Sequence, residues 1–439
     1  MPEYAGLYFV QYMFMKLNPG YVNLYRITVL CWLICLQPLS VAADTAQELF
    51  SRNADYLYQI KVIEKLSGRK SAIGSGFLVR GNGLIATNYH VISKFIHEPD
   101  KYYLQAISVS NKIESVSVED IDVINDLALI KFAAKGRPFL QITTRAMRKG
   151  DPIYSLGNPL DLGTAVVPGT YNGFTKQSFY QRIHFTGSIN PGMSGGPVLN
   201  GQGQVVGINV ATAGNQIGFL VVAEKLIKLL NEYDSRGSRL MDYQQRIHQQ
   251  LIKNQQILMN TVLSAVWKTS ALGEAQVLRE IAPFIPCWGD KGHSNKKKKK
   301  YLSVTISCKP KETIYIHSGF RTGMIEVQYN WLENISLNSL QFYALLEKLY
   351  KGAGPGNRAG EKDVTEYACY EGFINSPDER TVLCSRAYKK YQGLFDIIYI
   401  SATVSHNDKG LISHFTLSGV EKPTAMRFTR RFMETRQWN

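Results

Sequence analysis

The chain has 439 residues with 50 Lys+Arg against 35 Asp+Glu, a formal net charge of +15. That balance favours contact with anionic surfaces such as phospholipid headgroups, cell-wall polymers or nucleic acid. No stretch after residue 43 reaches the roughly 20 apolar residues of a membrane-crossing helix, which excludes a polytopic helical membrane protein.

In chain order, Lys16 and Arg26 precede an apolar run over residues 27–36, followed by small residues up to Ala43. This pattern predicts a secretory signal peptide, 1–43, cleaved near Ala43–Asp44, with Met15 as an alternative start and an uncleaved anchor as the competing reading. Cys31 and Cys35 fall inside that segment, leaving Cys287, Cys308, Cys369 and Cys384. Four cysteines allow three pairings, of which Cys287–Cys308 with Cys369–Cys384 is the simplest. No CxxC or HxxxH spacing supports a zinc site, so disulfides in an oxidising compartment are expected. Export also argues against nucleic acid as a main partner.

Residues 56–63 alternate partly and predict a first strand. Gly74-Ser75-Gly76-Phe77 leads through Gly81-Asn82-Gly83 to residues 84–92, a hairpin that delivers His90 just after a strand. Asp126 stands before the apolar run Leu127-Ala128-Leu129-Ile130, a context that Asp120 and Asp122 lack. Then come Gly157-Asn158-Pro159 and Asn190-Pro191-Gly192-Met193-Ser194-Gly195-Gly196-Pro197, with Val205-Val206-Gly207-Ile208-Asn209 after them. A serine between glycines can occupy a turn too tight for other side chains, its hydroxyl exposed and backbone N–H groups aimed at one spot. Serine alone is a weak nucleophile and needs a histidine base oriented by a carboxylate. His90, Asp126 and Ser194 supply those types; the bland alternatives are a turn serine and a strand-capping carboxylate.

In this order the motifs resemble the trypsin-like serine proteases of the bacterial HtrA (DegP-like) type, over roughly residues 55–230. The resemblance implies a mainly β fold: a chymotrypsin-like double β-barrel with the cleft between barrels. It assigns Ser194 as nucleophile, His90 as base, Asp126 as its orienting acid, and the N–H groups of Gly192 and Ser194 as the oxyanion hole. It places the substrate pocket at Ser188, with walls at Val210, Ala211 and Thr212; without an acidic base, a small or medium apolar side chain is expected there. A protein or peptide substrate is implied, and no cofactor or metal. Met193 departs from the pattern, where related enzymes have aspartate or asparagine. No PDZ domain is recognisable after the protease segment.

From Ala223 the periodicity becomes helical, and a glutamine-rich stretch from about 240 to 281 carries Tyr243, Ile247, Leu251, Leu258 and Val262 on one face. It predicts a helix packed between domains rather than a coiled coil. Residues 282–439 alternate in places, with one helix near 337–349, and predict an α+β domain with a largely antiparallel sheet. Within it, the five lysines from Lys296 to Lys300 read as a solvated loop, with contact to an anionic surface as the alternative. The expected organisation is thus 1–43, a protease domain 44–230, a helical connector 231–281 and an accessory domain 282–439 without a legible role. The expected protein is a serine endopeptidase, periplasmic in a Gram-negative bacterium or secreted. A silent or latched protease-fold binding protein is the alternative, and oligomeric state is not legible.

Overall fold

Alternating apolar residues between 57 and 131 build an open seven-stranded antiparallel sheet in the computed structural model of the chain. The structure describes residues 45–439 apart from 213–216, 238–240, 292–299, 374–378, 404–405, 436 and 439. The expected signal segment and Lys296–Lys299 therefore lie outside the described residues. The first sheet comprises β1 (Leu57–Glu64), β2 (Lys70–Arg80), β3 (Leu84–Thr87), β4 (Tyr102–Ser108), β5 (Ile113–Ser115), β6 (Ser117–Asp122) and β7 (Leu127–Lys131), ordered β5-β4-β1-β2-β3-β7-β6. Helix α1 (Ala46–Asn53) precedes it, and α2 (Tyr89–His97) joins β3 to β4.

The next six strands close into a barrel. They are β8 (Pro152–Gly157), β9 (Ala165–Phe174), β10 (Arg182–Phe185), β11 (Pro197–Asn200), β12 (Val205–Thr212) and β13 (Gly218–Val222). The trypsin-like, mainly β architecture is thus present, with one difference from two closed barrels. At the open edge β5 has only three residues, two of them exposed, and it pairs with β4 alone.

Helices α3 (Ala223–Arg236) and α4 (Tyr243–Ser264) follow. The stripe read on α4 faces two cores: Ile247 and Leu251 join that of the first sheet, while Leu258, Met259 and Val262 join that of the C-terminal domain. The helical reading of the stretch to residue 281 is corrected. The helix stops at Ser264, and β14 (Lys268–Leu272) and β15 (Ala275–Glu280) form a hairpin. Gly273, at φ +62°, makes the reversal in a conformation that other residues seldom adopt.

Beyond it lie β16 (Cys287–Lys291), β17 (Tyr301–Cys308), β18 (Ile314–His317), β19 (Phe320–Thr322), β20 (Ile325–Asn334), α5 (Ser339–Gly352), β21 (Ala368–Phe373), β22 (Glu379–Ala387), β23 (Phe395–Thr403), β24 (Lys409–Val420), α6 (Lys422–Glu434) and β25 (Gln437–Trp438). Seven of these strands make an antiparallel sheet ordered β16-β17-β20-β24-β23-β22-β21. One face buries Phe428 and Phe432 of α6 among Tyr329, Tyr399 and Phe415; the other buries Phe342 and Leu346 of α5 against Leu332 and Ile412. Cross-strand disulfides join Cys287 to Cys308 and Cys369 to Cys384, one at each edge of the sheet and in the expected pairing. The hairpin β18–β19 stands apart from this sheet. Its Ile314, Ile316 and Phe320 belong to the core of the first sheet, together with Val91, Ile92 and Ile96. Among the described residues no helix is long and apolar enough to cross a membrane.

Candidate active site

The end of β3 and the start of α2 position the histidine. Asn88, in extended conformation, precedes the helix, so His90 sits in its first turn while Tyr89, Val91 and Ile92 point into the core. The His90 backbone N–H donates to Asp126 Oδ1 at 2.8 Å, and its Nδ1 lies 2.6 Å from Asp126 Oδ2. Two contacts to one carboxylate fix both the ring plane and the tautomer, leaving Nε2 for a reaction.

Asp126 is itself held in an uncommon conformation. It occupies the turn between β6 and β7 at φ +61°, a left-handed geometry that Asp and Asn tolerate better than most residues. Asp122 Oδ1 accepts from the N–H groups of Ile124 and Asn125, and Asn88 Nδ2 donates to the Asp126 carbonyl at 2.8 Å. On the other side, Arg182 of β10 donates from Nη1 to the Asn125 carbonyl at 3.1 Å. The two carboxylates that compete in the sequence are occupied elsewhere. Asp122 caps this turn, and buried Asp120 pairs with Arg236 and Arg246 at 3.3 Å each.

Burial alone would disfavour a charged His90. The charge and hydrogen bond of Asp126 outweigh that penalty and raise its pKa, with Arg321 the smallest, opposing influence. The ring also meets Tyr315 of β18 edge-on, with centroids 6.1 Å apart.

The Ser194 turn is anchored to both sheets. Gly192 has φ +96°, and a side chain there would run into the Asn158 carbonyl. Ser75 of β2 ties the turn in place: its N–H donates to Ser194 O at 2.8 Å, its hydroxyl donates to Gly192 O at 2.7 Å, and that hydroxyl accepts from Asn158 N–H at 2.9 Å. Buried Asn209 of β12 donates to the Leu156 and Met193 carbonyls, and its own carbonyl accepts from Gly195 N–H. Met193 is fully buried in the closed barrel, so its departure from the motif is an apolar core contact. The N–H groups of Met193 and Gly195 are used within the fold, whereas those of Gly192 and Ser194 enter no hydrogen bond among the described residues. Nor does a hydrogen bond join His90 to the Ser194 hydroxyl among them.

Of the pocket residues, Ser188 and Val210 are half-buried. Ala211 and Thr212 continue β12, but their side chains lie outside the described ones. No group of three or more His, Cys, Asp or Glu that could hold a metal ion occurs among the described residues. The sequence reading assigned no role to Ser75, Asn209 or Arg182. Ser75 and Asn209 sit inside quoted motifs, where a polar side chain in an apolar strand was the available signal; Arg182 had none.

Residues 74–208 match the model of the trypsin-like peptidase domain. The chain is 32% identical over 178 residues to the serine protease HTRA1 of Xenopus laevis, covering 38% of this chain and 38% of that protein. It is 30% identical over 174 residues to a probable periplasmic serine endoprotease, DegP-like, of Chlamydia muridarum, covering 37% and 33% respectively. The chain thus spans under two fifths of the length of these relatives. A solved serine endoprotease from Yersinia pestis aligns with 45% of this chain and 69% of its own, at 25% identity and a TM-score of 0.39. The chain therefore contains a trypsin-like peptidase domain, similar at about 30% identity to those of HtrA and DegP-like serine proteases.

Proposed function

We propose that this chain is an exported serine endopeptidase that hydrolyses peptide bonds through an acyl-enzyme on Ser194. The observation that carries the reading is the His90–Asp126 pair, with the carboxylate contacting both the ring nitrogen and the backbone N–H of the same histidine. Ser194 attacks the scissile carbonyl, and His90 takes the hydroxyl proton and returns it to the leaving amine. Asp126 orients the imidazole and stabilises its charged form. The N–H groups of Gly192 and Ser194 receive the developing oxyanion, where losing one donor costs ~10²–10³ in rate. A small or medium apolar side chain enters the pocket beside Ser188. No cofactor takes part. The division into a protease domain 44–230, a connector and an accessory domain belongs to this proposal, as does export to the periplasm or medium. DegP-like relatives named periplasmic support the location.

One observation favours the alternative of a silent or latched binding protein: His90 and the Ser194 hydroxyl are not hydrogen-bonded among the described contacts. Such bonds are often long before substrate arrives. Labelling by a fluorophosphonate probe decides between the readings. Wild-type protein labelled and Ser194→Ala unlabelled is expected. If wild-type protein stays unlabelled across pH 6–9, the endopeptidase reading is lost and the binding-protein reading stands.

A further inference from the structure

The C-terminal domain reaches the acid–base pair through a short segment that enters β18. Glu312 accepts from the Ser178 hydroxyl at 2.6 Å and pairs with Arg182 Nε at 3.8 Å. Arg182 is nearly buried, and its Nη1 donates to the carbonyl of Asn125, the residue immediately before Asp126. A buried guanidinium needs a counter-charge, and here that charge comes from the C-terminal domain. A charge-assisted bond to a main-chain carbonyl is among the stronger neutral-acceptor contacts, so it restrains the turn that holds Asp126 in its left-handed conformation. Three residues after Glu312, Tyr315 packs edge-on against His90, and its hydroxyl lies 3.4 Å from Ser93 Oγ on the same helix. One short segment thus braces both members of the pair, the acid through Arg182 and the base directly.

We propose that Glu312 and Arg182 are positioning residues: through them the C-terminal domain holds the Asn125–Asp126 turn, and hence the Asp126 carboxylate, against His90. The proposal rests on the endopeptidase reading for its kinetic consequence, but not for its structural one. In this arrangement the accessory domain is required for full activity and does not obstruct it. The groups facing His90 are Asp126 from the β6–β7 turn and Tyr315 and Arg321 from the hairpin. A loosened Asp126 therefore leaves burial and Arg321 to act, both of which disfavour the protonated ring.

The test uses the full chain and three variants: Arg182→Met, Arg182→Lys and Glu312→Gln. The second-order rate of fluorophosphonate labelling is measured from pH 5 to 9, and the low-field proton of the His90 Nδ1–H is followed by NMR. Arg182→Met should slow labelling at pH 8 about 10- to 100-fold, the scale expected for misplacing a catalytic group by about 1 Å. Its acid limb should move to lower pH, and the low-field resonance should weaken. Glu312→Gln, which keeps volume and the Ser178 contact, should shift all three in the same direction by less, and Arg182→Lys should recover part of the loss. Wild-type rate, acid limb and resonance in folded Glu312→Gln and Arg182→Met overturn the proposal. Should Arg182→Met fail to fold, Glu312→Gln and Arg182→Lys decide, unchanged values in both being the overturning result. An unlabelled wild type with an intact resonance that the variants weaken would instead sink the endopeptidase reading and leave the positioning role standing.

Discussion

The Ser194 half of the proposed site stands on a closed barrel whose interior residues, among them Ile153, Phe185, Met193, Val198 and Leu220, form a cluster of their own. The His90–Asp126 half stands on an open sheet whose core takes in Ile316, Phe320, Tyr388 and Leu394 from the C-terminal domain. Apolar area removed from water is the main favourable term in folding. The barrel shares a further cluster with the first sheet, where Leu156, Leu199 and Val221 join Phe77 and Leu127. Its interior takes nothing from the C-terminal domain, whereas the second half borrows stability from it. The proposed catalytic constellation, assembled from both halves, is only as ordered as the dependent one.

Three perturbations can break or sharpen this contrast. The largest acts on the pair itself: Asp126→Asn keeps the shape but removes the charge and favours the wrong tautomer, and kcat should fall ~10⁴-fold as in related triads. A loss below tenfold would mean that Asp126 is not the orienting acid. The same variant should lower the His90 pKa, since the Asp126 charge is what raises it against burial. Next, Phe320→Ala removes a fully buried ring from the shared core. It should cost about 3–5 kcal/mol by denaturant unfolding. Amide exchange should accelerate in α2 and β18–β19 and spare β10–β13; equal acceleration in both regions would erase the distinction between the halves.

The smallest effect at neutral pH comes from His97 at the same interface, whose Nε2 lies 2.8 Å from the Tyr89 hydroxyl and 3.1 Å from the Ile316 carbonyl. Burial, with help from the neighbouring His317 and Lys390, lowers its pKa to about 4. The unfolded chain binds a proton near pH 6.5, so the stability from neutral His97 is present above that pH and lost as pH falls toward 4. His414 in the C-terminal sheet, lowered to about 4 by burial, acts in the same window. His90 runs the other way: its raised pKa adds stability at low pH that fades as pH climbs through the folded value. Stability measured between pH 7 and 4.5 should fall, and His97→Gln should flatten part of that slope. An unchanged slope would remove His97 from the interface's pH response.

What could be read in the sequence was local. His90, Asp126 and Ser194 each sit in a strand-and-turn context of a few residues, and the cysteines pair between adjacent strands. The apolar stripe of α4 invites a helix through β14–β15, but the helix ends at Ser264 and Gly273, a turn signal within the stretch, reverses the chain. The bracing network was illegible for another reason. Arg182 meets Asn125 57 residues away, and Ser178 meets Glu312 134 residues away. No periodicity carries information over such separations; only the folded topology brings them together. The open first sheet belongs to the same class, since its core is completed by residues more than 180 positions downstream of β7.

The two disulfides close 21- and 15-residue intervals at opposite edges of the C-terminal sheet. Lys296–Lys299 fall inside the first interval, where a protease with a taste for basic residues would find its sites. A nick there would produce two polypeptides still joined by a covalent bond. On a gel without reductant the chain would run at full mass, and only a thiol would reveal the cut. Clipping of this domain by a neighbouring enzyme would thus go unnoticed in any assay that does not first reduce the sample.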